Sequence, residues 1–246
     1  MSDINSEPMP PERLMVMMAH PDDVEFLLGG TVAKWAQAGT VVSYVLATRG
    51  DAGSHEPGMT RHKLGQLREA EQREAARVFG VQEVQFLGYH DGEVEPTLTL
   101  RRELVRHIRR FKPDAVATFD PTNLFVRDNY INHPDHRAMG QAVLDAVAPA
   151  AAMPLNFVDL IEEGLVPHRV KTVWLAVPTS PNTWIDITEV IELKLISLYK
   201  HHSQFDGNHE RINKLLKEWA AEAGQHLGVT YAEGFKRLVL GPEEEV

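Results

Sequence analysis

The chain has 246 residues, 43% hydrophobic and 24% charged, with 12 histidines, no cysteine and a formal net charge of −10. That composition suits one globular domain that buries its own core. It excludes disulfides and thiolate metal sites and argues against a nucleic-acid partner, which would need basic patches. The first apolar run, Leu14 to Ala19, is too short to span a membrane and lacks a secretory leader, so a cytoplasmic protein is expected.

Residues 1–12 are polar, contain three prolines and read as a disordered lead-in to a single domain over 13–246. Leu14 to Ala19 then reads as a buried strand. Asp22 to Gln37 follows as a helix stopped by Gly39, and Val41 to Ala47 as a β-branched strand. Arg49 to Gly58 is a glycine-bearing loop. Arg61 to Phe79 has helical spacing, with Leu64, Leu67, Ala75 and Val78 on one side. A short strand at Val84 to Leu87 precedes a basic helix at Leu98 to Phe111. The arginines of that helix, 101, 102, 106, 109 and 110, read as a solvated face. Ala115 to Phe119 is a strand, Asp120 to Asn132 a polar loop, and Pro134 to Val147 a helix with proline in its tolerated first turn. Beyond it lie strands at Lys171 to Val177, Trp184 to Ile187 and Phe235 to Leu240, and helices at Glu189 to His201 and His209 to Ala223.

The alternation of strand and helix over the first 150 residues predicts an α/β fold: a Rossmann-like, mostly parallel sheet with helices on both faces, in one domain with C-terminal additions. Ligands of such sheets bind beyond the carboxyl ends of the strands. On that rim fall His20-Pro-Asp-Asp23 after strand one, Asp51 after strand two, Asp91 after strand three, and His133 and His136 after strand four.

A catalytic zinc takes three protein ligands from histidine and carboxylate and keeps one position open. His20 and Asp23, three apart in a tight turn, and His136, from another loop on the rim, fit that need. Asp22 is the candidate general base. His133 is the candidate for stabilising the oxyanion of amide hydrolysis as an imidazolium, with Asp135 beside it to orient its ring. Two histidines and one carboxylate also suit ferrous iron. Taken singly, the first motif also reads as a turn whose aspartates cap the next helix, and the second as surface histidines. A nucleotide-binding module is a further alternative, but it needs a glycine-rich loop where this chain has two carboxylates.

Ala19-His-Pro-Asp-Asp-Val-Glu-Phe-Leu-Leu-Gly-Gly30, together with Asn132-His-Pro-Asp-His136, resembles the LmbE-like, or PIG-L-type, family of zinc-dependent N-acetylglucosaminyl deacetylases. The resemblance implies zinc on His20, Asp23 and His136, Asp22 as base, and His133 at the tetrahedral intermediate. It implies hydrolysis of an N-acetyl or similar acyl group from an amino sugar or glycoconjugate. An amidase or esterase acting on a non-sugar substrate is the alternative. Weaker matches place Asp51, Arg68, Asp91 and His201 at the substrate, His201 closing the site from the second half of the chain. A small N-acetylated sugar is the expected partner, with no nucleic acid or membrane, and a homo-oligomer is the expected assembly.

Overall fold

The computed structural model describes residues 7–126, 130–205 and 208–241. Its main sheet has seven strands: β1 (Arg13–Met18), β2 (Val41–Thr48), β3 (Glu83–Tyr89), β4 (Ala115–Phe119), β7 (Thr172–Ala176), β8 (Thr183–Asp186) and β9 (Ala232–Val239). They lie in the order β3-β2-β1-β4-β7-β9-β8. The first five are mutually parallel, and β9 runs antiparallel to both β7 and β8. Leu14 to Met18 are all buried, as expected of a strand covered on both faces. Among the described residues, no helix is long and apolar enough to cross a membrane.

The chain winds outward from β1 to β2 and β3, then returns to β1's other side with β4. The carboxyl ends of β1 and β4 therefore flank the point where strand order reverses, the usual crevice of a doubly wound sheet. The turn holding His20 to Asp23 leaves β1 there. Beyond β4, the loop expected over Asp120 to Asn132 carries a small hairpin, β5 (Phe125–Val126) and β6 (Tyr130–Ile131), before α5 (Pro134–Asp145) begins.

The helix expected over Asp22 to Gln37 is two helices, α1 (Asp23–Leu27) and α2 (Gly29–Gln37), broken at Leu28. Glu233 of β9 caps the second start. Its carboxylate accepts from Gly30 N, Thr31 N and Thr31 Oγ1, and Lys194 Nζ lies 2.6 Å from it. A side chain at Gly30 would meet Ile187 at 2.7 Å, so glycine is required for this close packing.

Helix α3 (Arg61–Val78) buries Leu64, Arg68, Glu71, Gln72 and Ala75, while Leu67, expected on the apolar side, is 42% exposed. Helix α4 (Leu98–Phe111) departs from a solvated basic face. Arg109 is fully buried and donates to the carbonyls of Ala150, Ala151, Met153, Asn156 and Phe157. Arg101 pairs with Asp145, and Arg102 and Arg106 pair with Asp159 and Glu163 near α6 (Val158–Glu162). Of the lead-in, residues 1–6 lie outside the described residues. Further along it, Pro11 O accepts from Thr40 Oγ1 and Glu12 O from Val41 N.

Candidate active site

Three side chains meet where β1 and β4 end. His20 Nδ1 lies 3.2 Å from His136 Nε2, His136 Nε2 lies 3.1 Å from Asp23 Oδ1, and Asp23 Oδ2 lies 3.4 Å from His20 Nδ1. Zinc bonds of about 2.0–2.2 Å arranged tetrahedrally imply donor gaps of about 3.4 Å, so the set fits a metal ion. His20–His133–His136 and His20–Asp91–Asp135 also bring three donors within 4.8 Å. The set of His20, Asp23 and His136 leaves the outer nitrogens of both histidines for other partners.

Those outer partners fix which nitrogen carries the proton. His20 Nε2 lies 3.1 Å from Asp135 Oδ2 and 3.1 Å from Asp91 Oδ1, so it holds a proton, and Nδ1 faces His136 and Asp23. His136 Nδ1 lies 3.2 Å from Asn132 Oδ1, which leaves its Nε2 as the inward lone pair, and its ring stacks on Phe119 at 4.1 Å. Asp23 Oδ2 accepts from His20 N at 2.6 Å, and its Oδ1 faces His136. Two imidazole nitrogens and a carboxylate facing one another call for positive charge among them, which a metal ion or a proton on His20 supplies.

Asp135, expected beside the His133 ring to orient it, instead grips His20 from 115 residues away and accepts from Gly92 N and Val94 N. Burial opposes a charge on His20, yet the carboxylates of Asp135, Asp23 and Asp91 outweigh it and hold its pKa well above the usual imidazole range. Burial likewise opposes the charge on Asp23, but His136 and His20 hold that carboxyl well below its ordinary value. Asp91, despite its burial, is held down to about 2 chiefly by His20 and the Ala52 N–H. The field of the pocket favours positive charge.

Asp22 precedes these groups in a left-handed conformation, φ +88°, which strains a non-glycine residue by about 1–2 kcal/mol. Its side chain makes no cap bond to α1, so the reading of this turn as a helix cap does not hold. Asp22 Oδ2 accepts from Arg68 Nη2 at 3.1 Å, and Oδ1 has no hydrogen bond among the described residues. Burial pushes its pKa up, partly offset by Arg68.

His133 is the N-cap of α5. Its Nδ1 accepts from Asp135 N at 3.2 Å, its Nε2 lies 4.0 Å from Asp91, and its side chain is 32% exposed. Burial lowers its pKa, and His20 and His136 lower it further. A ring whose Nδ1 is an acceptor is neutral, with its proton on Nε2. The imidazolium expected at this position is replaced by a neutral Nε2–H donor.

The residues expected at the substrate are mostly turned inward. Arg68 is 4% exposed and donates to Gly50 O, Pro21 O and Asp22. A side chain at Gly50, where φ is +63°, would fall 2.3 Å from Arg68 Nη1, so glycine is needed twice over there. Asp51 accepts from Asp91 N and from Arg61, and meets His90 Nδ1 at 2.9 Å. His201 is fully buried against Glu25, 3.2 Å away, and does not line the rim. Asp91 alone of the four touches the metal-fitting cluster, through His20. Sequence reasoning missed Gln72 and Asn132; only long-range pairing reveals Gln72, whereas Asn132 sits one helical turn before His136. A cavity of about 360 Å³ lined by Arg49, Asp51, Arg61, Tyr89 and His90 opens on the same rim.

Histidines and carboxylates that could hold a metal ion gather at the strand ends, with the Asp22 carboxylate beside them, a constellation suited to hydrolysis by activated water. The chain belongs to the PIG-L family: the family model described as GlcNAc-PI de-N-acetylase matches residues 15–147. It is 34% identical over 226 residues to the diacetylchitobiose deacetylase of Thermococcus kodakarensis, covering 92% of this chain and 82% of that one. It is 29% identical over 217 residues to the probable N-acetyl-alpha-D-glucosaminyl L-malate deacetylase 2 of Bacillus anthracis, covering 84% and 86%. The solved N,N'-diacetylchitobiose deacetylase of Pyrococcus horikoshii superposes with a TM-score of 0.86 at 32% identity, over 93% of this chain and 84% of that one. The protein is accordingly an amide-hydrolysing enzyme of the deacetylase type.

Proposed function

We propose that the enzyme removes the N-acetyl group from an N-acetylglucosamine unit of a small glycan or glycoconjugate, with zinc held by His20, Asp23 and His136. The convergence of these three side chains, with pairwise contacts of 3.1–3.4 Å that use both Asp23 oxygens, supports this reading. The relatives' substrates, diacetylchitobiose and an N-acetylglucosaminyl malate, supply the sugar. The cavity beside Asp51 offers space for the substrate beyond the acetamide.

Zinc in this set supplies Lewis acidity toward the acetyl carbonyl and brings the pKa of water toward about 7. Asp22 takes the proton of the attacking water on Oδ1 while Arg68 holds Oδ2, and then returns it to the departing amine. His133 donates from Nε2–H to the carbonyl oxygen as negative charge gathers there. Asp91 and Asp135 hold the His20 ring in its tautomer.

The test is to count metal by mass spectrometry in protein purified without added metal, and to assay acetate release from N-acetylglucosamine and N,N'-diacetylchitobiose. About one zinc per chain, with chelator-sensitive release, is expected. Iron in its place corrects the ion. Metal without release from either sugar moves the reading to the non-sugar amidase or esterase. No metal after zinc reconstitution overturns the ligand set. The proposal includes cytoplasmic location and self-association, which fractionation and light scattering check.

A further inference from the structure

The buried face of α3 carries a second polar side chain one turn beyond Arg68. Gln72 is fully buried; its Oε1 accepts from Asp22 N at 2.9 Å, and its Nε2 donates to Glu25 Oε1 at 3.0 Å. The reverse amide orientation would set two donors against each other at Asp22 and two acceptors at Glu25, so the assignment is fixed by its neighbours. The other Glu25 oxygen lies 3.2 Å from His201 Nε2, and both side chains are fully buried. His201 follows α7 (Ile191–Leu198) and lies 176 residues from Glu25 in the chain, so the turn after β1 is tied through two side chains to the distant half of the sequence.

These contacts converge on a strained residue. Asp22 holds its left-handed backbone only because its surroundings over-determine it. Arg68 grips its carboxylate and Gln72 its N–H, and residues four apart on one helix face deliver both grips together. The metal-fitting set has its own supports in Asp135, Asp91 and Asn132, none of which Gln72 touches.

We propose that Gln72, braced by Glu25 and His201, is a positioning residue for Asp22: it holds the left-handed turn that places the carboxylate with Oδ1 free. The inference rests on the reading of Asp22 as the general base. Loss of the Gln72 acceptor strands the Asp22 N–H and lets the turn relax toward ordinary backbone. A displacement of the base by about 1 Å slows catalysis on the order of 10²-fold, while the metal set keeps its own bonds.

The experiment measures kcat, KM and bound metal for zinc-loaded enzyme on N,N'-diacetylchitobiose, comparing Gln72→Met, Asp22→Asn and the double variant. Gln72→Met is expected to lower kcat about 10- to 100-fold with KM within about twofold and metal unchanged. In the Asp22→Asn background it is expected to cost less than about twofold, because the group it positions has lost its function. An equal loss in both backgrounds means a general structural role and overturns the inference. Full turnover by Asp22→Asn alone would instead remove the base assignment, a separate failure. Should Gln72→Met not fold, Gln72→Glu serves, alone and with Glu25→Gln. Alone it sets two carboxylates against each other and lowers kcat. Together the changes exchange amide and carboxylate while preserving the bonds to Asp22 N–H and His201, so kcat is expected to return within about fivefold of the parent. No recovery in a folded, metal-loaded pair overturns the inference.

Discussion

Two buried charged clusters lie on either side of the first helices, and they differ in one respect that decides their roles. Around Glu233, every contact pairs a donor with an acceptor: Gly30 N–H, Thr31 N–H, Thr31 O–H and Lys194 all donate to the carboxylate. The cluster is closed, and its work is to restart α2 and pin β9 and α7 to it. Around His20, two imidazole nitrogens and a carboxylate face one another with no fixed donor among them, while the outer ring nitrogens face Asp135, Asp91 and Asn132. A fixed donor for every acceptor separates the structural ion pair from a centre that could hold a cation.

The sharpest way to break this contrast is to remove a member of each cluster and read metal and stability separately. His136→Ala is expected to abolish stoichiometric zinc and lower turnover at least about 10³-fold, while the metal-free protein melts close to the metal-free parent. Lys194→Met leaves the Glu233 charge buried without its cation and is expected to cost about 3–5 kcal/mol in denaturant unfolding, with zinc stoichiometry unchanged in the folded fraction. If Lys194→Met released metal, or His136→Ala unfolded the metal-free protein, the division between the clusters would collapse.

A smaller effect sharpens the same contrast. Asn132 holds His136 through Oδ1, and its other bonds root the β5–β6 hairpin: Asn132 N donates to Leu124 O and Nδ2 to Asn123 O. Asn132→Asp keeps an acceptor for the ring, whereas Asn132→Ala removes it. The alanine variant is expected to weaken zinc binding about 10- to 100-fold in chelator competition, and the aspartate variant much less. Equal losses would assign Asn132 to the hairpin alone.

The alternation of strands and helices and the concentration of polar residues on one rim were readable because both are local patterns of period and turn chemistry. His20, Asp23 and His136 were readable because two compact motifs follow two parallel strands, and the topology brings such strand ends together. What escaped was pairing across the sequence. Asp135 stands next to His133 in the chain but serves His20, and nothing local signals a partner 115 residues away. Arg68 was expected at the substrate rather than beneath Asp22, and Gln72 had no assigned role, because a helix face that supports a site is as polar as one that faces water. Arg109 misled in the same way: five carbonyls of the segment after α5 consume its guanidinium, a demand set by tertiary structure. The break at Leu28 is likewise imposed by Glu233, 203 residues beyond Gly30.

A second histidine gives the smallest test of what the acceptors around His20 do. His107 on α4 is largely sheltered and bonds to no carboxylate among the described residues; burial first, and then Arg110 and Arg106, lower its pKa to about 4. In the unfolded chain it titrates near about 6.5. Between those values the unfolded state binds more protons than the folded one, so stability falls as pH is lowered from about 6.5 to 4 and is regained as pH rises. His107→Gln removes this term. The difference in unfolding free energy between parent and variant is expected to change by about 1–2 kcal/mol across that window, after allowance for partial solvent screening, and to be flat above about pH 7. A difference that stays flat through the whole window would mean His107 is solvated in the folded state. A slope of the opposite sign would mean it has found an acceptor, as His20 has.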